Sequence, residues 1–246
     1  MSDHGVRVGL FGARGRMGQR LQRCLPEHHG LSLEAAFDQG AGKGELSQCD
    51  VVIDFSVAEA TEALLSQLAG TSAALVTGTT GRTPAQLAAV DARSAVAPVF
   101  SAANYSLGVA VLTDLVARAA RALGPAFDME VFEIHHRHKI DAPSGTALHL
   151  AEAAAEARGL AWPESSRIRH GQTGPRGDEE LGLAALRGGA VTGEHTVYFF
   201  GAAERVELTH RAADRDVFAH GALRAAQWVV GQPPGRYDMK ALLADI

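Results

Sequence analysis

Val6-Arg7-Val8-Gly9-Leu10-Phe11 runs directly into Gly12-Ala13-Arg14-Gly15-Arg16-Met17-Gly18. The first six residues form a mainly apolar run of strand length, closed by a glycine, and a helical pattern follows from about Arg16 until Pro26 stops it. Strand, glycine-rich turn and helix, in that order, are the setting of a dinucleotide fingerprint. The glycines permit a tight turn and let the backbone approach a pyrophosphate, which rests on the helix N-terminus. The spacing is G-x-x-G-x-x-G, with Arg14 in the middle glycine position of the strict pattern. Asp38 closes the next strand, read at 31–37, twenty residues after Gly18. A carboxylate there accepts hydrogen bonds from the adenosine ribose. Gln39, not an arginine, follows it, so the pattern points to NADH as the preferred cofactor, with Arg14 or Arg16 as a route to NADPH.

Outward from this turn, strands read at 51–55, 73–77 and 98–101, with helices between them. Ser56 with Glu59 has the form of a capping box, and Thr83, Pro84 and Gln86 mark another helix start. Short apolar strands alternating with helices imply a parallel sheet covered on both faces. After Tyr105 the pattern changes. A helix at 107–123, a strand at 128–134 and a helix capped by Ser144 precede a polar, glycine-rich excursion at 162–182. Strands at 183–187, 192–200 and 205–211 alternate like a sheet with one solvated face, and helices at 217–229 and 237–246 end the chain. The expected architecture is α/β: an N-terminal Rossmann dinucleotide-binding domain over 1–105, to which 217–246 returns, and a mixed α+β domain over 106–216.

The 246 residues are 46% hydrophobic and 21% charged, as in ordinary globular proteins, and the net charge of −5 argues against a nucleic-acid surface. No apolar run reaches the ~20 residues of a membrane span. Residues 1–4 run into the first strand without the look of a signal peptide, and Cys24 and Cys49 have neither metal nor disulfide spacing, so a reducing cytoplasm is expected. Lysine occurs only at positions 43, 139 and 240, against twenty arginines. A lysine kept in such a chain marks a place where a cation that can give up its proton is useful.

Lys139 lies in the most unusual stretch, Glu133-Ile134-His135-His136-Arg137-His138-Lys139-Ile140-Asp141-Ala142-Pro143-Ser144-Gly145-Thr146-Ala147. Five consecutive rings or cations, packed together, should raise the local potential and lower one another's pKa values, which suits a site that binds carboxylates and donates protons near neutrality. The neighbouring cations disfavour a metal among the histidines. The helix start at Ser144, Gly145 and Thr146 is a further carboxylate site. The substrate is therefore expected to be small and to carry at least one carboxylate, with two favoured.

These blocks, with the G-T-T-G of Gly78–Gly81, the A-A-N-Y of Ala102–Tyr105 and the G-E-H-T of Gly193–Thr196, resemble the dihydrodipicolinate reductase family over essentially the whole chain. The resemblance implies NAD(P)H-dependent reduction of a cyclic dicarboxylate in lysine and diaminopimelate biosynthesis. It implies an acid/base role for His135, proton donation by Lys139, and substrate binding by His136, Gly145 and Thr146. Gly12, Ala13, Arg14, Gly15, Arg16, Met17 and Asp38 would hold the adenine-side half of the cofactor. Gly78, Thr79, Thr80, Ala102, Ala103, Asn104 and Tyr105 would approach its nicotinamide side. It also implies that 106–216 binds substrate and builds a homotetramer, with a hinge between the domains. The region between Asp38 and Asp50 is shorter than in many members.

Overall fold

The computed structural model describes residues 5–38 and 41–245. Residues 1–4 and Gln39, which bear on the leader and cofactor expectations, lie outside the described residues, as does Ile246. The chain divides into two compact units, Met1–Leu107 with Asp216–Ile246, and Gly108–Arg215.

The first unit contains β1 (Val6–Phe11), α1 (Arg16–Cys24), β2 (Leu31–Asp38), β3 (Ala41–Lys43), β4 (Val51–Asp54), α2 (Thr61–Gln67), β5 (Ala74–Thr77), α3 (Pro84–Arg93) and β6 (Pro98–Ser101). Its strands form a seven-stranded sheet whose order is completed by β12 (Gly235–Tyr237): β12-β6-β5-β4-β1-β2-β3. All pairings are parallel except β2 with β3. Val51–Asp54 and Ala74–Thr77 are buried at every position, which is why these central strands read as unbroken apolar runs. Chain order reverses beside β1: β2 lies on one flank and β4 on the other, so the fingerprint turn sits at the switch point, where open parallel sheets take their ligands. Helix α6 (Asp216–Val229) packs against β4, β5 and β6 through Ala219, Gly221, Ala222, Ala225 and Ala226. Small residues are required there, because a side chain on Gly221 would run into the Tyr105 carbonyl.

The second unit holds α4 (Leu107–Leu123), β7 (Asp128–His135), α5 (Gly145–Arg158), β8 (Ser166–Arg167), β9 (Leu181–Arg187), β10 (Gly193–Phe200) and β11 (Arg205–Ala212). Its five strands run β11-β10-β7-β9-β8, with β7, β9 and β8 parallel and β10 antiparallel to both neighbours. Strand alternation then divides the inner face in two. Met129 and Val131 align with Phe199 and Val197 on one side and with Leu181 and Leu183 on the other, forming an apolar half packed with Val116, Ala120, Leu150 and Ala154. The same alternation continues to Glu133 and His135, opposite His195 and Arg187, and makes the other half polar.

Three local expectations need correction. The Ser56–Glu59 capping box does not form. Ser56 donates its backbone N–H and hydroxyl to Asp54 Oδ1 at 3.0 and 2.6 Å, a carboxylate being the stronger acceptor, and α2 starts only at Thr61 after a 3-10 turn. The tail is not wholly helical: Gly235–Tyr237 adds an edge strand before α7 (Met239–Ala244). Finally, β3 pairs antiparallel with β2 where no strand was read. The Thr83 capping box forms as expected.

The turn after β1 leaves no room at Gly18, where a Cβ would lie 2.2 Å from the Gly12 carbonyl oxygen; at Gly15 the nearest atom would be 3.2 Å away. Gly18→Ala should therefore destabilise the first unit by about 2 kcal/mol or more, a fall of several degrees in Tm, and by more than Gly15→Ala does. Thermal unfolding of the two variants checks this.

Candidate active site

The loops at the carboxyl edge of the first sheet are fixed by backbone and buried side-chain bonds. Gly12 adopts φ +87°, and the Gly12 and Ala13 N–H groups both donate to the Phe37 carbonyl at 2.9 Å. The Arg14 N–H donates to Asp38 Oδ2 at 2.8 Å, which brings the predicted ribose acid to the fingerprint turn. Gly15 is the N-cap of α1 and offers no capping side chain. An uncapped first turn behind a glycine bend suits a pyrophosphate, so these residues fit a dinucleotide. The side chains of Arg14 and Arg16 are exposed.

The 78–81 loop is held from below. Asp54 is fully buried and accepts from Thr77 Oγ1 at 2.8 Å and from the Arg82 guanidinium at 2.6 Å. Arg82 also donates to Thr61 Oγ1, Thr77 Oγ1 and the Thr79 carbonyl. Gly78 has to be glycine, since a Cβ would lie 2.2 Å from the Phe55 ring. The buried Tyr105 hydroxyl donates to the Thr77 carbonyl at 2.8 Å, tying the 102–105 segment to the same strand end.

In the second unit the basic run does not gather as one cluster. His135 is the last inward residue of β7 and is 9% exposed, whereas Arg137 and His138 are exposed. His136 ring atoms meet the Arg215 guanidinium at 2.9 Å on Nε2. Arginine can only donate, so that Nε2 accepts and Nδ1 carries the proton; this Nδ1 is buried and has no partner. Lys139 Nζ pairs with both oxygens of Asp141, at 2.8 and 2.9 Å. Where the sequence suggested mutual repulsion as the main cause of lowered pKa values, His136 is lowered first by burial and then by Arg215, His135, His138 and Lys139.

Behind the run lies Glu133, with no exposed surface. It accepts from His135 Nδ1 at 2.5 Å, from Arg187 at 2.7 and 2.8 Å, and from the Ser144 N–H at 3.2 Å. Burial pushes its carboxyl up, but hydrogen bonds and charge from Arg187 and His135 outweigh this and hold it below the usual range. Arg187 also donates to the Asp141 carbonyl at 2.6 Å, joining the lysine turn to the same centre. Ser144 caps α5 by accepting from the Ala147 N–H, and its hydroxyl meets His195 Nε2 at 3.1 Å. At Gly145 a Cβ would meet nothing within 4 Å, so the helix start opens onto space.

The structure thus assembles His135 and the first turn of α5 on one face, and sets Lys139 in the turn between them. Sequence reasoning gave no role to Glu133, Arg187, His195, Arg215 or Asp141. One signal was present: Glu133 lies two residues before His135 in a strand whose alternate residues are apolar, and an acid on a buried face demands partners. The others are distant in the chain and left no local trace.

Comparison with known proteins agrees in both units. Residues 6–105 match the sequence profile described as dihydrodipicolinate reductase, N-terminus, and residues 108–243 match the one described as dihydrodipicolinate reductase, C-terminus. The chain is 51% identical to the 4-hydroxy-tetrahydrodipicolinate reductase of Myxococcus xanthus, covering 97% of each protein. It is 45% identical to the enzyme of the same name from Alkalilimnicola ehrlichii, covering 97% of this chain and 98% of the relative. Among solved structures, a dipicolinate-bound dihydrodipicolinate reductase from Paenisporosarcina sp. TG-14 shares the fold, with TM-score 0.76 and 22% identity over 95% of this chain and 97% of that one.

His195 supplies a pH test of the buried half. Burial, then the neighbouring His135, pushes its pKa down to about 4. Unfolding restores it to about 6.5. Between those values the unfolded chain binds the extra proton, so stability is complete above about pH 6.5 and is lost as pH falls towards 4, by at most ~3 kcal/mol from this residue. Melting curves from pH 7 to 5 should fall more steeply for the parent than for His195→Gln.

Proposed function

The chain belongs to the dihydrodipicolinate reductase family, and on that premise we propose how its residues divide the reaction. It is an oxidoreductase that uses NAD(P)H to reduce 4-hydroxy-tetrahydrodipicolinate or dihydrodipicolinate to tetrahydrodipicolinate, in the diaminopimelate route to lysine. The observation that carries the division of roles is the placing of His135, buried against Glu133, on the face occupied by the first turn of α5, with Lys139 in the intervening turn.

Gly12–Met17 and Asp38 hold the adenine-side half of the cofactor, and Gly78–Thr80 with Ala102–Tyr105 take the nicotinamide side. When bound, the nicotinamide supplies the hydride. Asp38 keeps a carboxylate at the ribose position with one oxygen already held by Arg14 N–H, which favours NADH over a cofactor with a 2′-phosphate. In the second unit, His136 and the N-terminal turn at Gly145 and Thr146 receive a substrate carboxylate. Lys139 donates the proton that balances the hydride. Asp141 holds the ammonium in place beforehand, and a lysine can finish the step neutral, as arginine cannot. His135 acts as acid/base through its other ring nitrogen. A homotetramer would cover the sheet face that the helices leave open, where Phe132, Ile134, Leu186, Tyr198 and Phe200 lie. A reducing cytoplasm suits the free, buried Cys24 and Cys49.

An assay fed by the synthase that makes the substrate, run with each cofactor, tests this reading. Turnover with a lower KM for NADH is expected. No turnover with either cofactor rejects the activity, and a strong NADPH preference rejects the role given to Asp38. Lys139→Arg preserves charge and should lower kcat by about 10²-fold or more, the usual weight of a general acid. If most activity survives, the lysine serves as an anchor and not as the donor.

A further inference from the structure

Glu133 has no exposed surface, and polar groups from three segments of the second unit converge on it. Strand alternation puts Glu133 and His135 on one side of β7, register brings Arg187 of β9 beside His135, and the turn before α5 delivers the Ser144 N–H. A carboxylate is acceptor-only and has about four lone-pair sites; all four are met, by His135 Nδ1, two Arg187 nitrogens and Ser144 N. Because Glu133 can only accept, His135 must keep its proton on Nδ1.

We propose that Glu133 is a positioning residue for the reduction: it locks His135 in the Nδ1–H form, leaving Nε2 as its one proton-exchanging atom, and ties that ring to the helix turn that receives the substrate carboxylate. Arg187 is the counterweight. It keeps the buried carboxylate ionised, and its bond to the Asp141 carbonyl holds the Lys139 turn in register with the histidine. This assignment rests on the reading of His135 as acid/base. Gly193 is part of the same arrangement, since a Cβ there would lie 2.9 Å from His135 Nε2 and crowd the working nitrogen. The groups facing the His135 ring are Glu133 on its own strand, Arg187 on β9 and His195 on β10, whose ring centroid is 5.1 Å away, with Lys139 in the following turn.

The test uses two full-length variants whose charge changes are opposite in sign. Glu133→Gln removes a negative charge beside His135, so its imidazole pKa should fall by about one unit or more; Arg187→Gln unbalances the carboxylate and should raise it by a similar amount. Imidazole titration by NMR in the cofactor-free protein reads this directly. The limb of the kcat/KM pH profile governed by His135 should move the same way in each variant, with kcat reduced by about 10²-fold in Glu133→Gln. A merely structural role predicts loss of activity in both variants with neither titration nor pH limb displaced. That result, or shifts of the same sign in both, overturns the proposal. Should Glu133→Gln fail to fold, the upward shift in Arg187→Gln decides alone. If the parent protein does not turn over the dicarboxylate, the activity reading falls, while the NMR titration still judges the Glu133–His135 pair.

Discussion

The buried carboxylate of Glu133 is the constraint around which the second unit is arranged. Taking a carboxylate and a guanidinium out of water costs several kcal/mol per ion, and only near-complete satisfaction of their hydrogen bonds offsets it. That condition dictates much of the local structure. β9 must end with Arg187 beside His135, the 139–144 turn must return its backbone to Arg187 and Glu133, and α5 must begin where the Ser144 N–H can reach Oε1. Losing one partner of such a pair leaves a buried charge uncompensated, at ~3–5 kcal/mol. The centre therefore tolerates little drift, which suits the roles proposed for His135 and the start of α5.

The first unit reaches a similar solution by different residues. Asp54 at the end of β4 is buried and held by Arg82, Thr77 and Ser56, and Arg82 in turn fixes the carbonyl of Thr79. In each unit an acid at or near the carboxyl end of a strand, with an arginine from a following segment, immobilises a loop of the candidate site. The apolar parts lie elsewhere: the central strands in the first unit, and the Met129, Val131, Val197 and Phe199 half of the sheet in the second. Core and site thus occupy opposite ends of the same strands, so alternation alone carries a side chain from one to the other.

That arrangement explains what the sequence made legible. The alternating strands and helices of 1–105, the long helix at 107–123 and the Thr83 cap were readable because their signals are local: apolar runs, a proline at N1, a glutamine at N3. The three-residue strands at Ala41–Lys43 and Gly235–Tyr237 are too short to show a period, and Ser56 was misread because its acceptor, Asp54, is on a strand and not in a helix. At the site, the run His135–Lys139 stood out by composition. Its partners did not, since Arg187 is 54 residues from Glu133, His195 is 51 from Ser144 and Arg215 is 79 from His136. Sheet register and the turns at the strand ends join them. The run itself was read too simply: adjacent residues leaving a strand point different ways, so Arg137 and His138 face solvent while His135 goes inward.

The central claim is that one buried acid fixes the protonation geometry of His135. Long-range proton–nitrogen correlation NMR of the full-length protein, with the His135 signals identified by their loss in His135→Gln, measures that geometry directly. In the neutral ring, a protonated Nδ1 and a bare Nε2 are predicted, on the strength of the 2.5 Å contact with Glu133. A ring protonated on Nε2, or an even mixture of the two forms, would contradict the account.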